Sequence, residues 1–420
     1  MLTATLRLDR LDRDFRLLER REQPCRSFLK GFLEALYVSH AQLGKAAPYV
    51  ITNVDGQSVD VSVIRNAVYT TIAERLYTPH NRMGSPPGFS LLADPALFYS
   101  AAGQYYPTFL STAFPGCDIG IQVGNSNTAV TTTDRRMGRR IGHGRRAPDG
   151  APVIFEQYAA GDTTEFSIYD VNWAAQLFQP ANDHRCTSVK LMLWKAGAPP
   201  ADLTVDLRGY KIASVATDPQ PGNTNLATGT IPAAGLGGSP GALVELVWPT
   251  PVDLYAGHHY WLVAHTAGGV LANSYKWRKQ AAGTITYDRA NPDFGGTTFY
   301  SAHSSVNSGA TWSASAQQYI FQELGQSVGE FEIGGCELAG IAFANPNGSF
   351  QVRRFFWNNC GVAVDVKEAG IQVPMEGHYN ATLEAPWRYP FLVARDVVAP
   401  TVSVLNTEIL LVTYTFQITV

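Results

Sequence analysis

From Pro390 onward the sequence reads PFLVARDVVAPTVSVLNTEILLVTYTFQITV, and this segment limits what the chain can fold into more than any other. Val402, Val404, Ile409, Leu411, Tyr414, Phe416 and Ile418 alternate or cluster as strand residues do. Such strands must pair in a sheet. The last residues are therefore expected to be structural, zipped against strands laid down upstream. The best upstream candidates lie on the far side of a long interruption.

That interruption has its own character. From about residue 166, short apolar runs such as FSIYDVNW, TSVKLMLWKAG, ADLTVDLRGY, ALVELVW and HHYWLVAHTA are separated by Gly, Pro, Asn and Asp. Many strands at ~8–12-residue spacing indicate a sandwich or jelly roll. From about 330 the pattern seen before residue 160 returns with FEIGGCELAGIAF, SFQVRRFFWNN and GVAVDVKEAGIQV. The expected class is mainly β: a discontinuous β-sandwich scaffold (46–164 and 327–420), an inserted jelly-roll or β-sandwich domain (165–326), and a short N-terminal α-helical arm (1–45). Insertion at an exposed loop is tolerated when a domain's ends lie close together.

The helical arm is read from Leu6, Leu8, Leu11, Phe15 and Leu18, and then from Phe28, Leu29, Phe32, Leu33 and Leu36. Two amphipathic stretches split at Gln23-Pro24 fit these residues. Their arginine–acid alternation suits a solvated face or an oligomer contact. Tyr49–Val54, Asp55-Gly56 and Val59–Val63 read as a hairpin. Strands are expected at Ile119–Val123 and Val153–Tyr158, with a loop-rich stretch over 76–117.

Composition excludes several classes. A net charge of −3 gives no global attraction to nucleic acid. No apolar run reaches the ~18–20 residues of a spanning helix, so membrane insertion is not expected. The first residues are charged and lack the apolar core of a signal peptide. Cys25, Cys117, Cys186, Cys336 and Cys360 are scattered and form no CxxC pair, which fits free thiols made in a reducing compartment. HExxH, Walker A and GxGxxG are all absent from the sequence. Glu156, Glu165, Glu330, Glu332 and Glu337 supply carboxylates, but no spacing singles out a glycosidase pair.

Two resemblances add to this. Gln176–Phe178, Val189–Trp194 followed by Gly197-Ala198-Pro199-Pro200, Leu203–Val205, Leu226–Gly229, Leu254–Val263 and Ser308–Trp312 resemble an accessory β-sandwich module of bacterial surface proteins and phage particles, similar in fold to carbohydrate-binding modules. The resemblance implies a sandwich, with glycan or surface binding as its expected use. The flanking residues are similar to a structural protein of tailed bacteriophages. They are Ile121–Gly124, Thr132-Thr133-Asp134, Ile141–Gly144, Phe350–Arg354, Phe356–Asn359, Val364–Gly370 and Phe391–Asp396. An Arg-Arg-Met-Gly-Arg-Arg stretch at 135–140 departs from that pattern.

Candidate site residues follow. Trp277, Trp312, Tyr275 and Tyr300 are ligand-contact candidates, because aromatic faces stack on sugars and exposed rings are costly unless used. Trp194, Trp248 and Trp261 sit in strong strand patterns and read as core. Asp288, Asn291 and Asp293 offer oxygens for a structural calcium, or form a plain Asx turn. His258, His259 and His265 are too far apart along a strand to bind one metal unaided, and His184 near Cys186 and Asp183 lacks a second ligand pair. Arg135, Arg136, Arg139, Arg140, Arg145 and Arg146 fit a subunit interface better than a nucleic-acid site, with acids of the 1–22 segment as partners.

The expectation is a non-enzymatic virion component of a tailed phage, in the tail, neck or baseplate region. It would form homo-oligomers, contact other virion proteins, and display the insert toward host-surface glycans. Capsid decoration or a head fibre is the alternative within that class. A carbohydrate-active enzyme with an accessory module, or a bacterial surface adhesin, is the alternative outside it.

Overall fold

The computed structural model describes residues 2–25, 28–40, 49–54, 56, 58–61, 120–159, 161, 164–212, 219–256, 258–280, 302–315, 317–344, 346–378 and 387–419. The first elements are β1 (Leu2–Leu11), β2 (Leu17–Cys25), helix α1 (Lys30–His40), β3 (Tyr49–Thr52) and β4 (Ser58–Val61). Next come β5 (Gly120–Gly124), β6 (Gly142–His143), β7 (Val153–Tyr158), β8 (Thr164–Ile168) and β9 (Trp173–Phe178). Then follow β10 (His184–Ala196), β11 (Leu203–Ile212), β12 (Pro219–Ile231), β13 (Ala242–Leu254), β14 (Tyr260–His265) and β15 (Ser274–Lys279). After these come β16 (Ala302–Ser305), β17 (Ser313–Ser315), β18 (Phe321–Gln326) and β19 (Glu330–Ala344). The last are β20 (Asn347–Trp357), β21 (Val364–His378), β22 (Trp387–Val404) and β23 (Ile409–Thr419). The protein is mainly β, and no described helix is long and apolar enough to cross a membrane.

The chain divides into two compact units. The first takes Met1–Val54, Ser58–Pro148 and Ser327–Val420, and the second takes Asp55–Gln57 and Asp149–Gln326.

In the first unit, one sheet runs β2-β1-β23-β20-β19-β6 and the other β22-β21-β4-β3, with β5 also paired to β21. Their facing sides share one core. Leu6, Leu8, Val352, Leu410, Val412 and Tyr414 come from one sheet, and Ile121, Val123, Ile371, Val373 and Val393 from the other. The terminal strand β23 lies between β1 and β20, with Leu6 and Val352 both opposite Tyr414. The last strand thus pairs with the first, as its pattern demanded.

The expected helix over residues 1–22 is absent: the segment is a β-hairpin. LTATLRL alternates strictly over residues 2–8, so Ala4, Leu6 and Leu8 are buried. The leucines that mimic a helical stripe also satisfy period two, and pairing to β23 decides between them. Asp12 closes the turn by accepting from the backbone N–H groups of Asp14 (2.9 Å) and Arg16 (2.8 Å). Asp9 and Glu19 pair within this hairpin, with Arg20 and Arg21 respectively. The second stretch is helical, as α1.

The edge of β22 is covered by side chains. Arg10 donates to the carbonyl of Ser403 (3.0 Å), Gln23 to that of Val397 (2.8 Å), and Arg21 to those of Pro400 and Thr401. Carbonyls satisfied in this way are withheld from a stray strand.

In the second unit, one sheet runs β7-β18-β10-β15-β8, with β13 also on β10, and the other runs β12-β11-β14-β9-β16-β17. Val189, Leu191, Trp248 and Trp277 from the first and Leu203, Val205, Leu262 and Phe178 from the second fill a separate core. Trp248 and Trp261 are fully buried as expected. Trp194 instead lies half-buried on the outer side of its sheet, where its indole N–H donates to Glu165 at 3.1 Å.

Candidate functional site

The loop after β5 meets β21 and β22 around one buried ion cluster in the first unit. Glu368 lies on β21 and Arg395 on β22, with side chains 0% and 2% exposed. The Arg395 guanidinium donates to Glu368 (2.7 Å), to Asp134 (2.6 Å) and to the carbonyl of Thr128 (3.1 Å). Glu368 also accepts the backbone N–H groups of Gly138 (2.9 Å) and Arg139 (2.7 Å). Burial works against the Arg395 charge, but Glu368 and Asp134 outweigh it and raise its pKa above the ordinary arginine value. The cluster clamps the loop after β5 onto the sheet. Gly124 must be glycine here, since a Cβ would lie 2.3 Å from a Glu368 oxygen and 2.6 Å from the carbonyl of Arg139.

Of the six arginines expected at a subunit interface, Arg139 lends its backbone N–H to this clamp, and others reach partners elsewhere in the chain. Arg136 donates to the carbonyl of Val54 (2.9 and 2.7 Å), Arg140 is 7% exposed, and Arg145 pairs with Glu332 (2.6 Å). Arg139 and Arg146 are half-buried and also have partners within the chain. Arg135 lies exposed. Within the chain, Asp9 and Glu19 of the 1–22 segment pair inside their own hairpin.

Of the aromatic candidates, Trp277 and Tyr275 are core residues, each 0% exposed. The Trp277 indole donates to the carbonyl of Ile320 (2.9 Å) and stacks on Tyr319 (4.6 Å), while the Tyr275 hydroxyl donates to the carbonyl of Ala201 (2.5 Å). Strand alternation sends their charged neighbours the other way. Lys276 and Arg278 point to the other face, toward Ser167 (2.6 Å) and Glu165 (3.4 Å). Trp312 is half-buried. Tyr300, Asp288, Asn291 and Asp293 lie outside the described residues. Among the described residues, no group of three or more His, Cys, Asp or Glu side chains is placed to hold a metal ion, and Cys25, Cys186, Cys336 and Cys360 are free thiols.

His184 and Glu323 form a second buried pair, each with a side chain 0% exposed. The ring Nε2 sits 2.9 Å from both carboxylate oxygens. Its Nδ1 faces the carbonyl of Asn182 at 2.9 Å, and Phe155 stacks on the ring at 3.7 Å. No substrate could reach this pair, so its role is structural.

Two of the places where the chain passes between the units, at Pro148/Asp149 and Gln326/Ser327, are each flanked by neighbouring strands. In the first unit, β6 runs parallel to β19, pairing Gly142 with Glu330 and His143 with Phe331. Glu330 binds both sides of this joint, since its N–H donates to the carbonyl of Arg146 (3.0 Å) and its carboxylate accepts the N–H of Arg146 (2.9 Å). Gly144 has φ +151°, and a Cβ there would meet a Glu330 oxygen at 2.0 Å. In the second unit, the first and last strands, β7 and β18, are antiparallel neighbours, with Val153 opposite Gly325.

The opposite end of the second unit carries the turns that follow β8, β10, β12, β14 and β16. These turns are laced together. Asp170 donates to the carbonyl of Gly268 (2.6 Å), Ser308 to that of Val171 (3.0 Å) and Lys195 to that of Gly237 (3.0 Å) through their backbone N–H groups. Ala198 donates to the Asn273 side chain (3.0 Å), and Ala233 to Asp202 (2.9 Å). Four aliphatic side chains stand out from this end: Val171 (37% exposed), Val270 (57%), Leu271 (59%) and Val306 (70%). Sequence reasoning passed over them because each sits in a Gly/Asn-rich turn that reads only as a connector. The signal was an aliphatic residue where turn chemistry asks for a polar one.

No family model matches the sequence, and no curated protein matches it. Among solved structures, the structure of infectious bursal disease virus Gx strain is similar at 9% identity and a TM-score of 0.18. That comparison covers all of this chain and 60% of the viral one. A TM-score so low carries no argument about either fold or role.

Proposed function

We propose that this chain is a structural component of a tailed phage particle, of the tail, neck or baseplate region. Its discontinuous sandwich serves as a scaffold, and residues 149–326 are an inserted sandwich displayed for attachment to a host surface. The observation that supports this reading is the pair of neighbouring joints. β7 lies beside β18 in the second unit, and β6 beside β19 in the first, so the ends of residues 149–326 adjoin neighbouring strands in each. Such attachment leaves the far end of the passenger clear of the joint, which suits display. Repetition on a particle would turn weak individual contacts into firm adhesion.

Mass spectrometry of purified particles from the source culture tests the assignment. Peptides of this chain at a fixed ratio to other particle proteins support it. Recovery of the chain only in the soluble fraction, with none in the particles, overturns it.

A further inference from the structure

We propose that the outer edge of β19 at Gly340–Ala344, in the first unit, pairs antiparallel with the same edge of a second copy of this chain. The proposal stands apart from the particle reading and survives its failure. β20 takes one side of β19, and on the other side β6 pairs only Glu330 and Phe331 among the described residues. The rest of that side is a sheet edge. Such an edge carries a row of backbone N–H and C=O groups that fits another strand.

The other described edges of this unit are guarded. β2 carries Glu19, Arg20, Arg21, Glu22 and Pro24, and β3 is only four residues long. Along β22, Arg10, Arg21 and Gln23 occupy the carbonyls. The first half of β19 has guards as well. Its register is broken between Ile333 and Cys336 and again between Leu338 and Gly340, with Glu337 between the two breaks. Bulges and charges of this kind keep stray strands away. Past Gly340 they stop. Gly340 to Ala344 pair without interruption with Gln351 to Asn347, and GIAFA holds neither charge nor proline. The flank is open: Gly340, Ala342, Phe343 and Ala344 are exposed, Phe343 at 86%, and a Cβ added at Gly340 would meet no atom within 4 Å.

The order of residues in this segment selects a second copy as the occupant. A two-fold contact needs a strand that complements itself when reversed. Centred on Ala342, the antiparallel register sets Gly340 opposite Ala344, Ile341 opposite Phe343, and Ala342 opposite itself. Small residues then meet small ones. A β-branched residue meets an aromatic one, a favourable cross-strand pair, and no like charges face each other. Because the two-fold uses the same edge of both chains, pairing stops at two.

A pairing of this length is small beside the ~800 Å² per partner of a stable interface, so a weak, concentration-dependent dimer is expected. Sedimentation velocity of the full chain, taken up to ~0.5 mM, reads such an affinity. Ala342→Lys and Ala342→Glu each set two like charges face to face at the axis, on a residue exposed in the single chain. Each variant alone should lose at least ~10-fold in association constant, since like charges directly opposite are destabilising. An equimolar mixture of the two should recover the dimer, because lysine then faces glutamate; that recovery supports both the edge and the register. A wild type that stays monomeric overturns the proposal. So does a variant that dimerises as wild type does, or a mixture that fails to recover. Hydrogen exchange of the dilute monomer checks the remaining occupant: protection of every amide in 340–344 would show that another part of the same chain already covers the edge, and overturns the proposal too.

Discussion

The imidazole of His184 holds a proton in a site that would strip it from a lone histidine. Its Nδ1 faces a carbonyl and must donate, while its Nε2 faces both oxygens of Glu323. Burial alone would lower its pKa; the carboxylate of Glu323 reverses this and raises it above 6.5. A pKa raised on folding stabilises fully below the unfolded value and is lost as pH climbs through the folded one. His303 has the opposite sign: burial pushes its pKa down to about 4. Its stabilisation is present above pH 6.5 and is lost as pH falls toward 4, by roughly 3 kcal/mol. Urea midpoints of the second unit should therefore peak near pH 6.5. His184→Gln should flatten the alkaline limb, and His303→Gln the acid limb. Glu323→Gln should cost about 3–5 kcal/mol at neutral pH, the usual penalty for breaking a buried ion pair; loss below 1 kcal/mol would show the pair to be idle. Little of this was legible. His184, Cys186 and Asp183 stood out in the sequence, but the partner that matters, Glu323, is 139 positions away. The same limit applied to Trp277, whose charged neighbours suggested an exposed site although they occupy the other face of β15.

Strands were easier to read than their partners. β3, β4, β5, β7 and the terminal strands fall close to where alternation put them, because a half-buried strand writes its period into the chain. β1 was misread because LTATLRLDRL satisfies two periods, and only the open side of β23 selects the strand. Connections carry stricter demands than strands. At Gly144 both backbone angle and space require glycine, with φ +151° and Glu330 closing the site. Gly144→Ala should destabilise the first unit by about 2–4 kcal/mol while leaving the second unchanged. Domain-resolved denaturation followed by hydrogen exchange would read this, and a loss shared by both units would contradict a local joint. The clamp offers a companion test. Glu368→Gln leaves Arg395 buried with less compensation, and should lower the stability of the first unit by about 3 kcal/mol. Faster exchange of the Gly138 and Arg139 amides is expected with it.

For the molecule as a whole, the change of pattern near residues 166 and 330 announced a second body, whose limits lie at Asp149 and Gln326. Arginine density alone does not separate an internal contact from an interface, since both use the same residues and differ only in where the carboxylates lie. Residues 149–326 have their own core and a sheet joining their first strand to their last. Expressed alone, they should give a β-type circular dichroism spectrum and one cooperative melt. An unfolded product would mean that the second unit depends on the first.

Because β7 begins beside the end of β18, with strands about 4.8 Å apart, the two ends of residues 149–326 leave the second unit side by side. Any foreign domain with similarly adjoining ends could be plugged in there while β1, β20 and β23 stay zipped. Exchange of residues 149–326 for another fold would then need no change in those three strands.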